Sequence, residues 1–137
     1  MRRRVASLDT NVLVRLTTAD DPRQSLQARA LVEQAARAGE NLHVPLTVVL
    51  ELEWVLRSRY GYSKEQVVGT LVEMLEAREL AFQDEAALEH ALHYYRRSPG
   101  IDFAECLHLG CAAAAGALPL VTFDRKGEGI AGVRVLR

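Results

Sequence analysis

Val5-Ala6-Ser7-Leu8-Asp9-Thr10-Asn11 is the stretch on which the fold turns: a short apolar run stopped by an acid and two small polar residues. With Arg2-Arg3-Arg4 before it and a β-branched residue within it, the run predicts a buried strand over residues 5–8. Asp9, Thr10 or Asn11 can then cap a helix, because Val12, Leu13 and Leu16 recur at helical spacing. Near the other end lies an echo, Pro119-Leu120-Val121-Thr122-Phe123-Asp124, which predicts a second buried strand over residues 118–123 with Asp124 at its exit. Two carboxylates at strand exits can meet at one edge of a parallel sheet, the edge where open α/β sheets build their sites.

The chain between them alternates in the same way. Asp20 or Asp21 before Pro22 starts a helix whose Leu26, Ala30, Leu31 and Ala35 recur on one side up to Gly39. Leu42-His43-Val44 predicts a strand, and Thr47 can cap a helix to Tyr60 that buries Val48, Leu52, Val55 and Leu56. Gly61-Tyr62 is a turn, after which Ser63 and Gln66 make a capping box for a helix carrying Val67, Leu71, Met74 and Leu75. Leu80-Ala81-Phe82 is a further strand; Asp84 caps a helix with Ala87, Leu88, Ala91, Leu92 and Tyr95 on its apolar side, stopped by Ser98-Pro99-Gly100. Asp102 starts a helix from residue 103 to about residue 117, whose alanine run 112–115 allows close packing against a sheet, and residues 133–136 form the last strand. This order predicts an α/β protein with a helix-flanked, mostly parallel sheet of four to five short strands.

The length of 137 residues, with 49% hydrophobic and 26% charged residues, fits a single domain over residues 1–137 with one core. No apolar run approaches a membrane span, and the segment after the N-terminal arginines is too short for an export signal, so a cytoplasmic protein without membrane contact is expected. The two cysteines, Cys106 and Cys111, are expected to be packing residues on one helix. Net charge is −1, which gives no bulk attraction to nucleic acid, yet all but two of the 17 basic residues are arginine. Arginine's planar fork suits phosphate and carboxylate partners.

Five acids stand out as one candidate site: Asp9, Glu51, Asp102, Glu105 and Asp124. Glu51 is flanked by Leu50 and Leu52 next to the expected buried stripe, where an unpaired carboxylate is costly, whereas Glu53 is expected to face solvent. Asp102 and Glu105, three apart at a helix start, share a face. So many carboxylates cannot share a pocket as free anions, and a divalent cation is the usual remedy; hard oxygen ligands suit Mg2+ or Mn2+. A cation held this way can orient and deprotonate a water and stabilise charge on a phosphodiester. Taken singly, Asp9 and Asp124 also read as helix or turn caps and Asp102 as an ordinary acid at a helix start. Thr10, Asn11 and Thr122 can supply supporting hydrogen bonds. His90 and His93 lack a third ligand for zinc, and no glycine-rich phosphate loop, GxSxG elbow or Cys/His pair is present.

Four motifs together make the chain resemble a PIN-domain protein, in particular the VapC-type toxin ribonucleases of toxin-antitoxin pairs. They are Leu8-Asp9-Thr10-Asn11-Val12-Leu13, then Val49-Leu50-Glu51-Leu52-Glu53-Trp54-Val55-Leu56-Arg57, then Asp102-Phe103-Ala104-Glu105-Cys106-Leu107, and Thr122-Phe123-Asp124-Arg125. The resemblance implies a three-layer α/β/α domain in which Asp9, Glu51, Asp102, Glu105 and Asp124 are acidic catalytic and metal-site residues supported by Thr10, Asn11 and Thr122. The family most often has aspartate where this chain has Glu105. The longer side chain shifts metal preference, makes Asp102 the main ligand of this motif, or weakens catalysis. The implied activity is a Mg2+- or Mn2+-dependent endoribonuclease acting on RNA; the implied partners are a small cognate antitoxin and a second copy in a homodimer, with a higher complex once antitoxin binds. Charge and location suggest Arg15, Arg57 and Arg59, with Arg96 and Arg97, as contacts to RNA phosphates or antitoxin acids. Trp54, the sole tryptophan, is expected to pack in the core or a dimer interface rather than stack on bases. Two alternatives stay open: a non-catalytic PIN-fold module that binds RNA or protein, and a related nuclease acting on structured DNA.

Overall fold

The computed structural model describes residues 2–137 and divides them into two compact units, residues 2–83 and 84–137. In the first unit the order is β1 (Arg4–Ser7), α1 (Thr10–Thr17), α2 (Pro22–Ala38), β2 (Asn41–Val44), α3 (Leu46–Tyr60), α4 (Lys64–Glu76) and β3 (Leu80–Phe82). The second holds α5 (Glu85–Arg97), α6 (Phe103–Ala114), β4 (Leu120–Thr122), a single 3-10 turn (Arg125–Gly127) and β5 (Val133–Val135). The protein is therefore mixed α/β with short strands, and every strand pairing is parallel. Hydrogen bonds join the strands as a three-stranded sheet, β1-β2-β3, and a two-stranded one, β4-β5. Among the described residues no helix is long and apolar enough to cross a membrane.

Local chemistry sets the helix boundaries. Asp21 accepts from the Gln24 backbone N–H at 3.0 Å, Asp84 from that of Ala87 at 3.0 Å, and Ser63 with Gln66 makes both bonds of the capping box. Gly39 and Gly61 close α2 and α3 with φ of 67° and 68°, a left-handed turn that glycine adopts at no steric cost. The start of α3 differs from expectation. Pro45 occupies the capping position, Thr47 lies inside the helix, and the Leu46 N–H is satisfied by the distant Gln83 side chain at 3.0 Å. A long-range acceptor has replaced the local one.

Burial corrects several expectations. On α2 the buried residues are Ser25, Ala28 and Ala35, while Leu26 (67%) and Leu31 are exposed. The small side chains admit α1, and the Ser25 hydroxyl donates to the Arg15 and Thr18 carbonyls, which α1 leaves without helical partners. The β1 residues, at one edge of their sheet, are exposed, with Leu8 beyond them buried. Nor is β4 a buried strand: three residues long and paired only with β5, it leaves Val121 exposed and Phe123 still more so. The first unit buries Leu13, Leu42, Val44, Val49, Leu52, Leu56, Val67 and Leu71; the second buries Leu88, Tyr95, Phe103 and Cys106, with the Tyr95 and Phe103 rings edge-on at 5.3 Å. The second unit's close approach is at Gly110 of α6 rather than at the alanine run, where Ala114 and Ala115 are exposed. A Cβ on Gly110 would fall on the Ala87 carbonyl oxygen and 2.9 Å from the Ala91 nitrogen of α5. Both cysteines are free, Cys106 buried and Cys111 half-buried, and burial followed by the Asp84 carboxylate raises the Cys111 thiol pKa.

Candidate active site

In the first unit the site begins where β1 hands over to α1. The Leu8 N–H still donates to the His43 carbonyl at 2.9 Å, so the strand ladder runs up to the acid. Asp9 then caps α1, its Oδ1 accepting from the Thr10 N–H at 2.8 Å. Thr10 is buried, and its hydroxyl donates to Glu51 Oε1 on α3. Thr10 thus ties the capping aspartate to Glu51 across 41 residues.

The two glutamates of α3 exchange their expected places. Glu53 is only 3% exposed and accepts from Arg57 Nε at 2.8 Å, whereas Glu51 is on the exposed side of the helix. Val49, Glu53 and Leu56 share a helix face through i, i+3 and i, i+4 spacing, and that face is the buried one. Asn11 is exposed beside Val12 and Arg15 in a groove between α1 and α2.

Three of the arginines expected to meet RNA, Arg15, Arg57 and Arg59, have intramolecular partners. Arg15 donates to Gln24 at 2.6 Å and to Asp20 and Tyr60 at 3.3 Å each. Tyr60 in turn donates to Asp20 at 2.6 Å; this bond, with the Thr18 hydroxyl and the Arg15 charge, holds the Asp20 carboxyl below its ordinary range, while Arg15's own bond to Tyr60, with the Asp20 charge, holds the guanidinium above its own. Arg57 pairs with Glu53, and the Arg59 guanidinium lies 5.8 Å from the Trp54 ring centroid. Trp54, at 49% exposure, is not a core residue.

In the second unit Asp102, Glu105, Thr122 and Asp124 line one cleft with Tyr94 and Lys126. Asp102 caps α6 through Oδ1, which accepts from the Glu105 N–H at 2.9 Å, and places Glu105 on the first turn. The Thr122 hydroxyl accepts from the Asp124 N–H at 3.0 Å, and Asp124 Oδ1 accepts from the Lys126 N–H at 3.0 Å. Asp9, Asp102 and Asp124 are thus caps, as their positions allowed, and each uses Oδ1 for the purpose. A carboxylate has several acceptor positions, so capping leaves a second oxygen for other chemistry. Among the described residues no group of three or more His, Cys, Asp or Glu is placed to hold a metal ion. Lys126, His93 and Tyr94 carry no sequence signal that marks them as cleft residues, although Lys126 stands only two places after Asp124.

Comparison with known proteins accounts for this arrangement of motifs. The PIN domain family model matches residues 6–133, from within β1 to the first residue of β5. The VapC ribonuclease of Aquifex aeolicus (strain VF5) is similar at 24% identity over 119 residues, which cover 87% of this chain and 87% of that protein. With nearly its whole length matched, the chain belongs to the PIN domain family.

Proposed function

We propose that this PIN-domain protein is a divalent-metal-dependent endoribonuclease and the toxin of a toxin-antitoxin pair, both units acting as one nuclease domain. The observation that carries the proposal is the lining of one cleft by Asp102, Glu105, Asp124 and Thr122, the residues of the family's third and fourth motifs. Asp9 and Glu51, joined through Thr10, are the residues of its first and second. Motif order and the similarity to a VapC ribonuclease support reading the five acids as serving one reaction.

The donor set fits Mg2+ or Mn2+ in chemistry, since all five side chains offer hard carboxylate oxygens. Bound by them, the cation would polarise the phosphodiester and favour ionisation of an attacking water. Thr10 orients Glu51 and shields its own hydroxyl from solvent, while Thr122 holds the backbone at Asp124. Such fixing of the acids lets them act without first being reorganised. RNA, a small antitoxin and a second copy of the chain are the partners this function brings, and the cytoplasm its place. Purified Asp9→Asn and Asp124→Asn variants are expected to lose RNA cleavage and growth toxicity while keeping the wild-type circular dichroism spectrum; cleavage retained in both would remove the assigned site.

Glu105, in place of the family's usual aspartate, also fits a PIN-fold module that binds RNA or protein without cutting. Calorimetric titration with manganese separates the two: the nuclease shows a site that the Asp124→Asn change weakens, and the module shows none. Parallel assays on RNA and structured DNA test the remaining alternative substrate.

A further inference from the structure

Trp54, the sole tryptophan, stands half exposed on α3, and its place on the helix decides what it can meet. Thr47, Glu51, Trp54 and Ser58 are all exposed, and their spacing of four, three and four residues makes them one stripe along the helix. The ring therefore stands about one turn beyond Glu51, on the side of α3 that Glu51 presents. The buried side is taken by Val49, Leu52, Glu53 and Leu56. A ring of this size left half in water forgoes much of the stabilisation that its burial would give. It is nevertheless held: the Arg59 guanidinium lies 5.8 Å from its centroid, a cation–π contact that orders the indole before any ligand arrives.

An exposed ring suits either the core of a protein interface or a nucleobase. The core of a protein interface is depleted of charge and gathers apolar side chains. Around Trp54 the exposed residues of α3 are Glu51, Arg57, Ser58 and Arg59, all charged or polar. The other large apolar side chains that the first unit exposes, Val5, Leu26 and Leu31, belong to β1 and α2. Trp54 is thus a single flat face among charges, which is what one base and its phosphates require. We propose that Trp54 is a specificity-determining residue, stacking a base that flanks the phosphodiester to be cut and favouring a purine there. The two fused rings of a purine cover more of the indole than the one ring of a pyrimidine. The assignment rests on the ribonuclease reading and adds to it a residue outside the five acids and the base preference that it sets.

As the sole tryptophan, Trp54 reports on itself. The full chain is titrated, in the presence of a chelator so that nothing is cut, with oligoadenylate and oligouridylate of equal length. Both carry the same charge per nucleotide, so a difference between them comes from the bases. Oligoadenylate is expected to quench the tryptophan emission and to bind at least about threefold more tightly than oligouridylate. Followed by anisotropy of the labelled strands, Trp54→Ala should weaken oligoadenylate binding about fivefold or more and bring the two strands to equal affinity. Trp54→Phe keeps an aromatic face and should restore part of the preference, whereas a residue that only packs would affect both strands alike. Unquenched emission at saturating oligoadenylate overturns the assignment, as does a preference that survives in Trp54→Ala. A fall in solution mass by light scattering in Trp54→Ala, with the base preference unchanged, would give the ring to a contact between copies of the chain and also overturns it. If the stacking falls while Asp9→Asn and Asp124→Asn still abolish cleavage, the ribonuclease reading stands without it.

Discussion

Glu51 and Glu53 stand two residues apart on one helix and do different work because of what meets each face. Glu53 is sealed in with Arg57 as a partner, whereas Glu51 stays on the exposed side with Thr10 bound to it. Stability and activity should therefore separate between them. Arg57→Ala removes a charge-assisted hydrogen bond from a buried carboxylate and is expected to cost about 2 kcal/mol in a urea denaturation curve. Glu51→Gln keeps an oxygen that can accept from Thr10, so its stability should stay within about 0.5 kcal/mol of wild type. Its RNA cleavage should be lost. The reverse pattern, a stable Arg57 variant and an active Glu51 variant, would take Glu51 out of the site. The aspartates Asp9, Asp102 and Asp124 were legible as caps because each bonds an N–H within three residues; its two oxygens would let one carboxylate serve both as cap and in the proposed site.

Between elements, fit is decided by small residues and by a few long-range bonds. Gly110 lets α6 lie against α5, and Gly110→Ala should destabilise by about 2 kcal/mol, since the added carbon meets rigid backbone. Gly69 on α4 has open space at the same position, so Gly69→Ala should stabilise by about 1 kcal/mol through helix propensity. Thermal melts of the two variants moving in opposite directions would check both. The end of α1, the start of α2 and the end of α3 are joined through Arg15, Asp20 and Tyr60. Because the folded Asp20 pKa lies below its ordinary value of 3.8, this contribution to stability is present above that value and is lost as pH falls through the folded one. Tyr60→Phe removes the largest cause of the shift. Its stability deficit against wild type should be full near neutral pH and should shrink in acid, as read from denaturation curves across that range.

At the scale of the whole molecule, the PIN domain family match runs through both compact units. A chelator is expected to abolish cleavage, and either Mg2+ or Mn2+ to restore it; undiminished cleavage in the chelator would exclude the proposed cation chemistry. The sequence by itself determined the order of strands and helices, their caps and turns save at the start of α3, and the buried side of α5. These rest on hydrogen bonds and spacings within a few residues, as in the Ser63–Gln66 capping box. Only the tertiary structure decided that α2 buries Ser25 and Ala28 instead of Leu26, and that Glu53 rather than Glu51 is sealed in. It also decided that Arg15 turns inward and that Phe123 stays exposed. The period of a helix states which residues share a face, but which face is buried depends on the element that comes to lie against it, and that neighbour is distant in the chain.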